Sequence, residues 1–293
     1  MTTTLHGCMI AKEARSRVGW RAEVNMQATD AKFTGSIPEL YERYLGALLF
    51  QPYAEDLARR LSDLRRGTLL EVAAGTGVVT RALRRTLPSE VRIVATDLNE
   101  AMLKLAASSL SEVSFQQADA QQLPFADGSA DAIVCQFGMM FVPDKGAAQR
   151  EALRVLVPGG RFVFNVWDRL ANNEVSLIIA RAVEALFPQD PPRFFERTPF
   201  GYFDPVSIRA ELQAAGFQSV EIETVEQASQ ATSAQDVAIG LCQGTPLRGE
   251  IESRKPGGLE EATAAAAMAL RARFGAGPFQ NRMSALVVTA RRP

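Results

Sequence analysis

The chain has 293 residues, 47% of them hydrophobic and 22% charged, with a formal net charge of −1. That is ordinary globular composition, and the length suffices for one large α/β domain with insertions. There is no basic excess to neutralise phosphates, which argues against a nucleic-acid partner, and no apolar run approaches the ~20 residues of a membrane-spanning helix.

Residues 1–35 are expected to form a flexible, loosely ordered N-terminal tail. The first 25 are polar and aperiodic, with no apolar stretch long enough for a signal peptide. Met26 is a candidate native start, since a recognisable element begins soon after it. The single histidine, His6, lies in this tail. Cys8, Cys135 and Cys242 are too far apart for a zinc site and too few for a disulfide framework. A reducing cytoplasm suits them.

Helix is expected over 38–66. Pro38 suits a first turn, and Leu40, Tyr44 and Leu48 recur at helical spacing. Pro52 is expected to divide this stretch, with Leu57, Leu61 and Leu64 on the second piece. A regular alternation follows: strand 68–73, helix 77–87, strand 91–96, helix 99–110 capped by Asn99, strand 113–117, strand 131–136, and helix 145–156. Pro158-Gly159-Gly160 reads as a turn, and strand 161–167 follows it. Alternating strand and helix implies a parallel sheet with helices on both faces.

Beyond Asp168 the rhythm changes. Helix fits 170–186, and residues 188–204 are rich in proline and aromatics. Helix 205–215 leads through Gly216 to strand 218–225, and strand 284–290 ends the pattern. The long interval between these last two strands exceeds any hairpin loop. With the Ala-rich helix 261–273 inside it, it reads as an inserted cap.

The chemistry concentrates in Leu69-Leu70-Glu71-Val72-Ala73-Ala74-Gly75-Thr76-Gly77. A strand carrying an acid runs into a glycine turn and then a helix. Glycine has no Cβ to block a ligand from the backbone. Twenty residues on, Asp97 closes the second strand, where nucleotide-binding α/β folds grip ribose hydroxyls. A dinucleotide fingerprint needs a third glycine at position 80, which is Thr80 here. It also leaves no place for a carboxylate such as Glu71 beside a pyrophosphate.

This acid-first pattern resembles motif I of class I S-adenosylmethionine (SAM)-dependent methyltransferases, with Ala73 in place of the family's usual first glycine. Leu123-Pro124-Phe125, Leu156-Val157-Pro158-Gly159-Gly160 and Ala214-Ala215-Gly216-Phe217 resemble runs in the ubiquinone/menaquinone-biosynthesis-like small-molecule group. The resemblance covers most of 36–291. It implies a Rossmann-like seven-stranded mixed sheet in order 3-2-1-4-5-7-6, helices on both faces and a helical cap. The methyltransferase domain is then 36–293, with N-terminal helices 38–66 and cap insertions at about 169–204 and 227–282.

The resemblance also implies roles. Glu71 holds the SAM amino group, and Ala73, Gly75 and Gly77 let backbone approach the methionine part. Asp97 accepts from the ribose hydroxyls, as an acceptor-only carboxylate can. Leu98 and Met102 pack on adenine, Asp119 and Ala120 read its edge, and Gln136 lies near the transferred methyl. An acid capping a turn, or ordinary helix core for Met102, are the plainer alternatives. Tyr44, Tyr53, Phe137, Met140, Trp167, Phe195 and Tyr202 are expected to line a substrate pocket. No catalytic residue is implied. Should a base be used, the candidates are Tyr41, Tyr44 or a water on Gln136. Cys135, in a buried strand, reads as packing rather than a nucleophile.

The expected activity is methyl transfer to a small, partly apolar metabolite at O, N or C, with no metal and no nucleic acid. An NAD(P)-dependent oxidoreductase and a non-catalytic SAM-binding subunit are the rival readings. Monomer and homodimer both remain open.

Overall fold

The computed structural model describes Asp30 and residues 35–293. The readings of His6, Cys8 and Met26 fall outside the described residues. The chain opens with α1 (Ile37–Tyr41), a nine-residue π-helical stretch (Glu42–Phe50) and α2 (Gln51–Arg60). Pro38 and Pro52 sit in the first turns of α1 and α2, where a missing N–H removes no helical bond. Pro52 thus marks the boundary at which the π-helical stretch gives way to α2.

The alternating region follows as β1 (Gly67–Val72), α3 (Val78–Thr86), β2 (Val91–Asp97), α4 (Glu100–Ala107), β3 (Ser114–Gln117), β4 (Ala130–Gln136), α5 (Lys145–Val155) and β5 (Leu156–Trp167). Leu69, Leu70 and Val72 of β1, Ile93 to Ala95 of β2 and Ala132 to Cys135 of β4 are all buried. Such near-continuous apolar runs belong to parallel strands covered on both faces. Asn99 caps α4 as expected, accepting from the N–H groups of Ala101 and Met102.

The seven strands lie in the order β3-β2-β1-β4-β5-β7-β6, where β6 is Ser219–Ala231 and β7 is Phe279–Arg291. Strands β1 to β5 are parallel, and β7 runs antiparallel between β5 and β6. The chain steps outward from β1 through β2 to β3, then returns to β4 on the other side of β1. Right-handed crossovers put the helices of these two halves on opposite faces. The reversal opens a crevice beyond the C-terminal ends of β1 and β4.

Three boundaries differ from expectation. Strand β5 begins at Leu156, and its register with β4 shifts between Ala130 and Ala132. Pro158-Gly159-Gly160 is thus an irregularity inside a strand. The helix expected over 170–186 is a 3-10 turn (Leu170–Asn172) followed by α6 (Glu174–Glu184). The last two strands are nearly twice as long as expected and pair throughout, from Ser219 opposite Arg291 to Ala231 opposite Phe279. Since β5 pairs with β7 only from Arg161 to Trp167, the far ends of β6 and β7 project past the sheet as a two-stranded ribbon. Residues 227–231 and 279–282, expected inside the insert, belong to this ribbon.

The cap is built from α6, α7 (Phe194–Arg197), α9 (Ala234–Gln243), α10 (Leu247–Arg254) and α11 (Leu259–Phe274), while α8 (Pro205–Ala215) returns the chain to β6. Helix α11 packs on α9 and α6, and α9 packs on the π-helical stretch. One continuous buried core runs from the sheet into the cap. Within the expected flexible tail, Asp30 is buried instead, taking both the guanidinium of Arg197 and the hydroxyl of Thr198.

Candidate functional site

A cleft of about 1330 Å³, counting its open mouth, lies where the topology predicts. Four successive strand ends build it. After β1 come Ala73 and Gly75; after β2, Leu98 and Met102; after β3, Ala118 to Gln121; after β4, Phe137 and Gly138. Asp97 and Gln136, the last residues of β2 and β4, also line it.

The turn after β1 is strained. Ala73 has φ +56° and Gly75 φ +56°. A non-glycine residue there costs of order 1–2 kcal/mol, and such residues gather at functional sites. Ala73 thus takes the backbone conformation of the glycine it replaces. The Gly75 N–H donates to Asp97 Oδ2 at 2.8 Å, and the Asn99 N–H donates to Oδ1 at 2.7 Å. These bonds lock the acid at the cleft wall and leave further lone pairs on both oxygens. Burial pushes the Asp97 carboxyl above its ordinary range, opposed by backbone N–H groups of Asn99, Gly75 and Leu98.

Glu71 and Gly77 do not line the cleft. Glu71 is 1% exposed, and its Oε2 has no hydrogen-bond partner. Burial pushes its carboxyl up to about 8, with neighbouring Thr80 offsetting part of the shift. Gly77 caps α3 in the left-handed region, and a Cβ on it would meet Ala106 of α4 at 3.0 Å. Its role is close packing. Asp119 shares its carboxylate with the Gln121 backbone and side chain, while Leu98, 60% exposed, forms the outer lip.

A second, much narrower cavity, about 620 Å³ counting its open mouth and the gaps between its walls, adjoins the cleft, and Tyr41, Phe137 and Phe141 line both. Its walls are aromatic and aliphatic: Phe50 from the π-helical stretch, Trp167 from β5, Phe194 and Phe195 from α7, Phe200, and Met283 from β7. Phe137, Trp167 and Phe195, three of the residues expected to line a substrate pocket, lie along this cavity. Asn281, inside the expected insertion 227–282, and Met283, just before the expected strand 284–290, were not anticipated here, because nothing local marks the start of β7 as strand.

Four of the expected pocket residues lie elsewhere. Tyr53 is fully buried and donates its hydroxyl to the Val225 carbonyl at 3.1 Å. Tyr44 packs beside Gly240 and under the Arg43 guanidinium. Met140 is core. Tyr202 is held by Gln149 and Glu211. Tyr41 remains at the site, but burial, with Asp97 and Glu42 nearby, raises its phenol far above the ordinary value. That disfavours the phenolate a base would need. Gln136 donates Nε2 to the Phe50 carbonyl, and its buried Oε1 has no partner. Burial pushes the Cys135 thiol up to about 12, as fits an inert strand cysteine.

Residues 70–164 match the family model described as a methyltransferase domain. The ubiquinone/menaquinone biosynthesis C-methyltransferase of Escherichia coli is 32% identical over 176 residues, covering 55% of this chain and 70% of that protein. The chain belongs to the class I SAM-dependent methyltransferases. The corresponding C-methyltransferase of Idiomarina loihiensis is 29% identical over 180 residues, covering 56% of this chain and 72% of that protein. Solved structures share the fold. A putative methyltransferase from Bacillus halodurans superposes with a TM-score of 0.53 at 20% identity, over 82% of this chain and 98% of that one. Haemonchus contortus phosphoethanolamine N-methyltransferase 2, in complex with SAM, gives 0.57 at 15% identity, over 87% and 56%.

The cleft of this methyltransferase fits a cationic cofactor. Asp97, Glu100 and Asp119 line it, and among the described residues no Lys, Arg or His does. A pyrophosphate would meet three carboxylates there, whereas a sulfonium and an ammonium meet opposite charge. Among the described residues no group of three or more His, Cys, Asp or Glu is placed to hold a metal, and no helix is long and apolar enough to cross a membrane.

Proposed function

We propose that this methyltransferase acts on a small, largely apolar acceptor seated in the aromatic cavity, with SAM in the adjoining acidic cleft. The single observation carrying this reading is that the two spaces share Phe137, Phe141 and Tyr41 as a common wall. The donor and acceptor sites therefore meet at the end of β4.

SAM supplies a methyl group already activated by its sulfonium charge. In this reading Glu71, set behind the cleft wall made by Ala73 and Gly75, holds the SAM ammonium through a bridging water, and Asp97 takes the ribose hydroxyls through its free lone pairs. Asp119 and Ala120 read the adenine edge, Leu98 and Met102 cover its faces, and Gln136 Oε1 faces the methyl-bearing end. The aromatic wall excludes water and aligns the acceptor, and alignment of this kind can contribute ~7–11 kcal/mol. No obligatory base is then needed, which suits a site whose tyrosine resists ionisation.

The C-methyltransferase relatives support a carbon acceptor first, with O and N as alternatives. Near-neutral charge supports a role without nucleic acid, the buried free thiols of Cys135 and Cys242 a cytoplasmic setting, and the domain is read as 36–293 in a monomer or homodimer. Calorimetric titration with S-adenosylhomocysteine tests the cofactor site. Micromolar binding is expected, falling about 100-fold in Asp97→Ala. Transfer of labelled methyl from SAM to a panel of apolar ring compounds then tests the acceptor. Transfer only to hydrophilic amines or to RNA contradicts the reading.

A further inference from the structure

The projecting ribbon of β6 and β7 brings one unsatisfied polar group to the aromatic cavity. Asn281, opposite Ser229 in the ribbon, lines the cavity next to Met283. It is 2% exposed, and its Nδ2 is buried without a hydrogen-bond partner. A buried donor left unpaired costs about 1–3 kcal/mol, so the native state carries this group at a penalty.

None of the neighbouring polar groups pairs with it. Asn173 spends its Nδ2 on the Ser284 carbonyl at 3.1 Å and its Oδ1 on the Ser284 N–H at 3.1 Å. The Thr245 hydroxyl donates to the Leu241 carbonyl at 2.7 Å and accepts from the Leu247 N–H. The remaining wall is mostly ring and aliphatic carbon.

We infer that Asn281 is a specificity-determining residue that donates from Nδ2 to an oxygen acceptor on the otherwise apolar methyl acceptor. Among the described residues no Lys, Arg or His lines this cavity. A carboxylate or phosphate would be buried there without a counter-charge. The oxygen therefore belongs to a neutral group, such as a ketone, ester or ether. An amine offers Nδ2 nothing once protonated. This inference rests on the aromatic cavity being the acceptor site.

The test compares two probes of matched shape, 2-acetylnaphthalene and 2-ethylnaphthalene, whose binding is followed by quenching of Trp167 fluorescence with S-adenosylhomocysteine present. Wild-type protein is expected to bind the ketone about tenfold more tightly than the hydrocarbon. Asn281→Leu is expected to bind both equally, to keep its S-adenosylhomocysteine affinity, and to melt no lower than wild type because the orphan donor is gone. Asn281→Asp, nearly isosteric, is expected to lose the ketone preference too.

Equal binding of the two probes by wild type, or an unchanged preference in Asn281→Leu, overturns the role of Asn281 and leaves the cavity reading standing. A large fall in melting temperature in both variants also overturns it, since Asn281 would then be part of the framework. Binding of S-adenosylhomocysteine but of neither probe overturns the acceptor-site reading together with this inference.

Discussion

The ring of Phe137 lies flat on the indole of Trp167, with centroids 3.8 Å apart and planes 11° from parallel. Phe137 follows β4 and Trp167 ends β5, so the stack joins two strand ends. It holds under backbone strain. Phe137 has φ +49°, and its N–H is fixed by both the carbonyl and the Oδ1 of Asn165, at 3.1 and 2.9 Å. The conformation that costs energy is the one that turns the ring into the wall between cleft and cavity.

Trp167 lines only the aromatic cavity. Trp167→Leu is expected to raise the acceptor KM about tenfold while leaving S-adenosylhomocysteine affinity within about twofold. Stability should drop by roughly 3 kcal/mol, as large-to-small core changes do. Steady-state kinetics beside a cofactor titration reads the split. Equal losses at both sites would show that the two spaces are not separate.

The proposed contact of Glu71 with the cofactor is expected to make binding depend on pH. Its carboxyl sits at about 8 in the free folded protein because of burial, against 4.5 ordinarily. Between those values the folded chain holds a proton that the unfolded chain has lost, so stability falls as pH rises through the interval. An ammonium beside Glu71 favours the ionised form. Binding of S-adenosylhomocysteine at neutral pH is therefore expected to release a proton, and affinity to climb toward pH 8 and then level. Titration in two buffers of different ionisation heat measures this. Glu71→Gln should remove the proton release, and a wild-type protein without it would contradict the assigned role.

Gly138 has no room for a side chain. A Cβ there would lie 2.5 Å from the Ala73 Cβ and 2.6 Å from Cys135 Sγ. Neither neighbour is the tip of a flexible chain, so Gly138→Ala is expected to cost about 1–3 kcal/mol and to weaken cofactor binding by pushing on the strained turn. The double variant with Ala73→Gly removes one clashing carbon and suits φ +56° at that position. It should recover part of both losses. Chemical denaturation of the two variants checks the coupling.

Arg197 holds two buried carboxylates, Asp30 and Glu250. It belongs to α7, which also supplies Phe194 and Phe195 to the cavity. Arg197→Met leaves Asp30 without its cation and Glu250 with only Arg254, 3.4 Å away, and is expected to cost about 3–5 kcal/mol. Chemical denaturation beside the wild type reads the loss; a deficit below about 1 kcal/mol would contradict a structural role for the pair.

The sequence alone determined the strand ends that matter. Glu71 lies one residue before the end of a strand, Asp97 and Gln136 close strands and Asp119 follows one, and the apolar runs before them set the parallel sheet because they satisfy burial on two faces. The glycine turn was equally legible, since few residues tolerate its backbone angles. Only the tertiary structure decided which aromatics face the cavity. Tyr53 and Trp167 are both aromatic and pack edge to face, yet Tyr53 lies behind the wall with its hydroxyl on the Val225 carbonyl, while Trp167 lines the cavity. The ribbon carrying Asn281 was illegible for a different reason. Gln227-Ala228-Ser229-Gln230 and Gln280-Asn281-Arg282 lack the apolar alternation of a strand, and they pair because β6 and β7 are already aligned by the sheet below. Long-range register, which no local pattern encodes, sets that edge of the site.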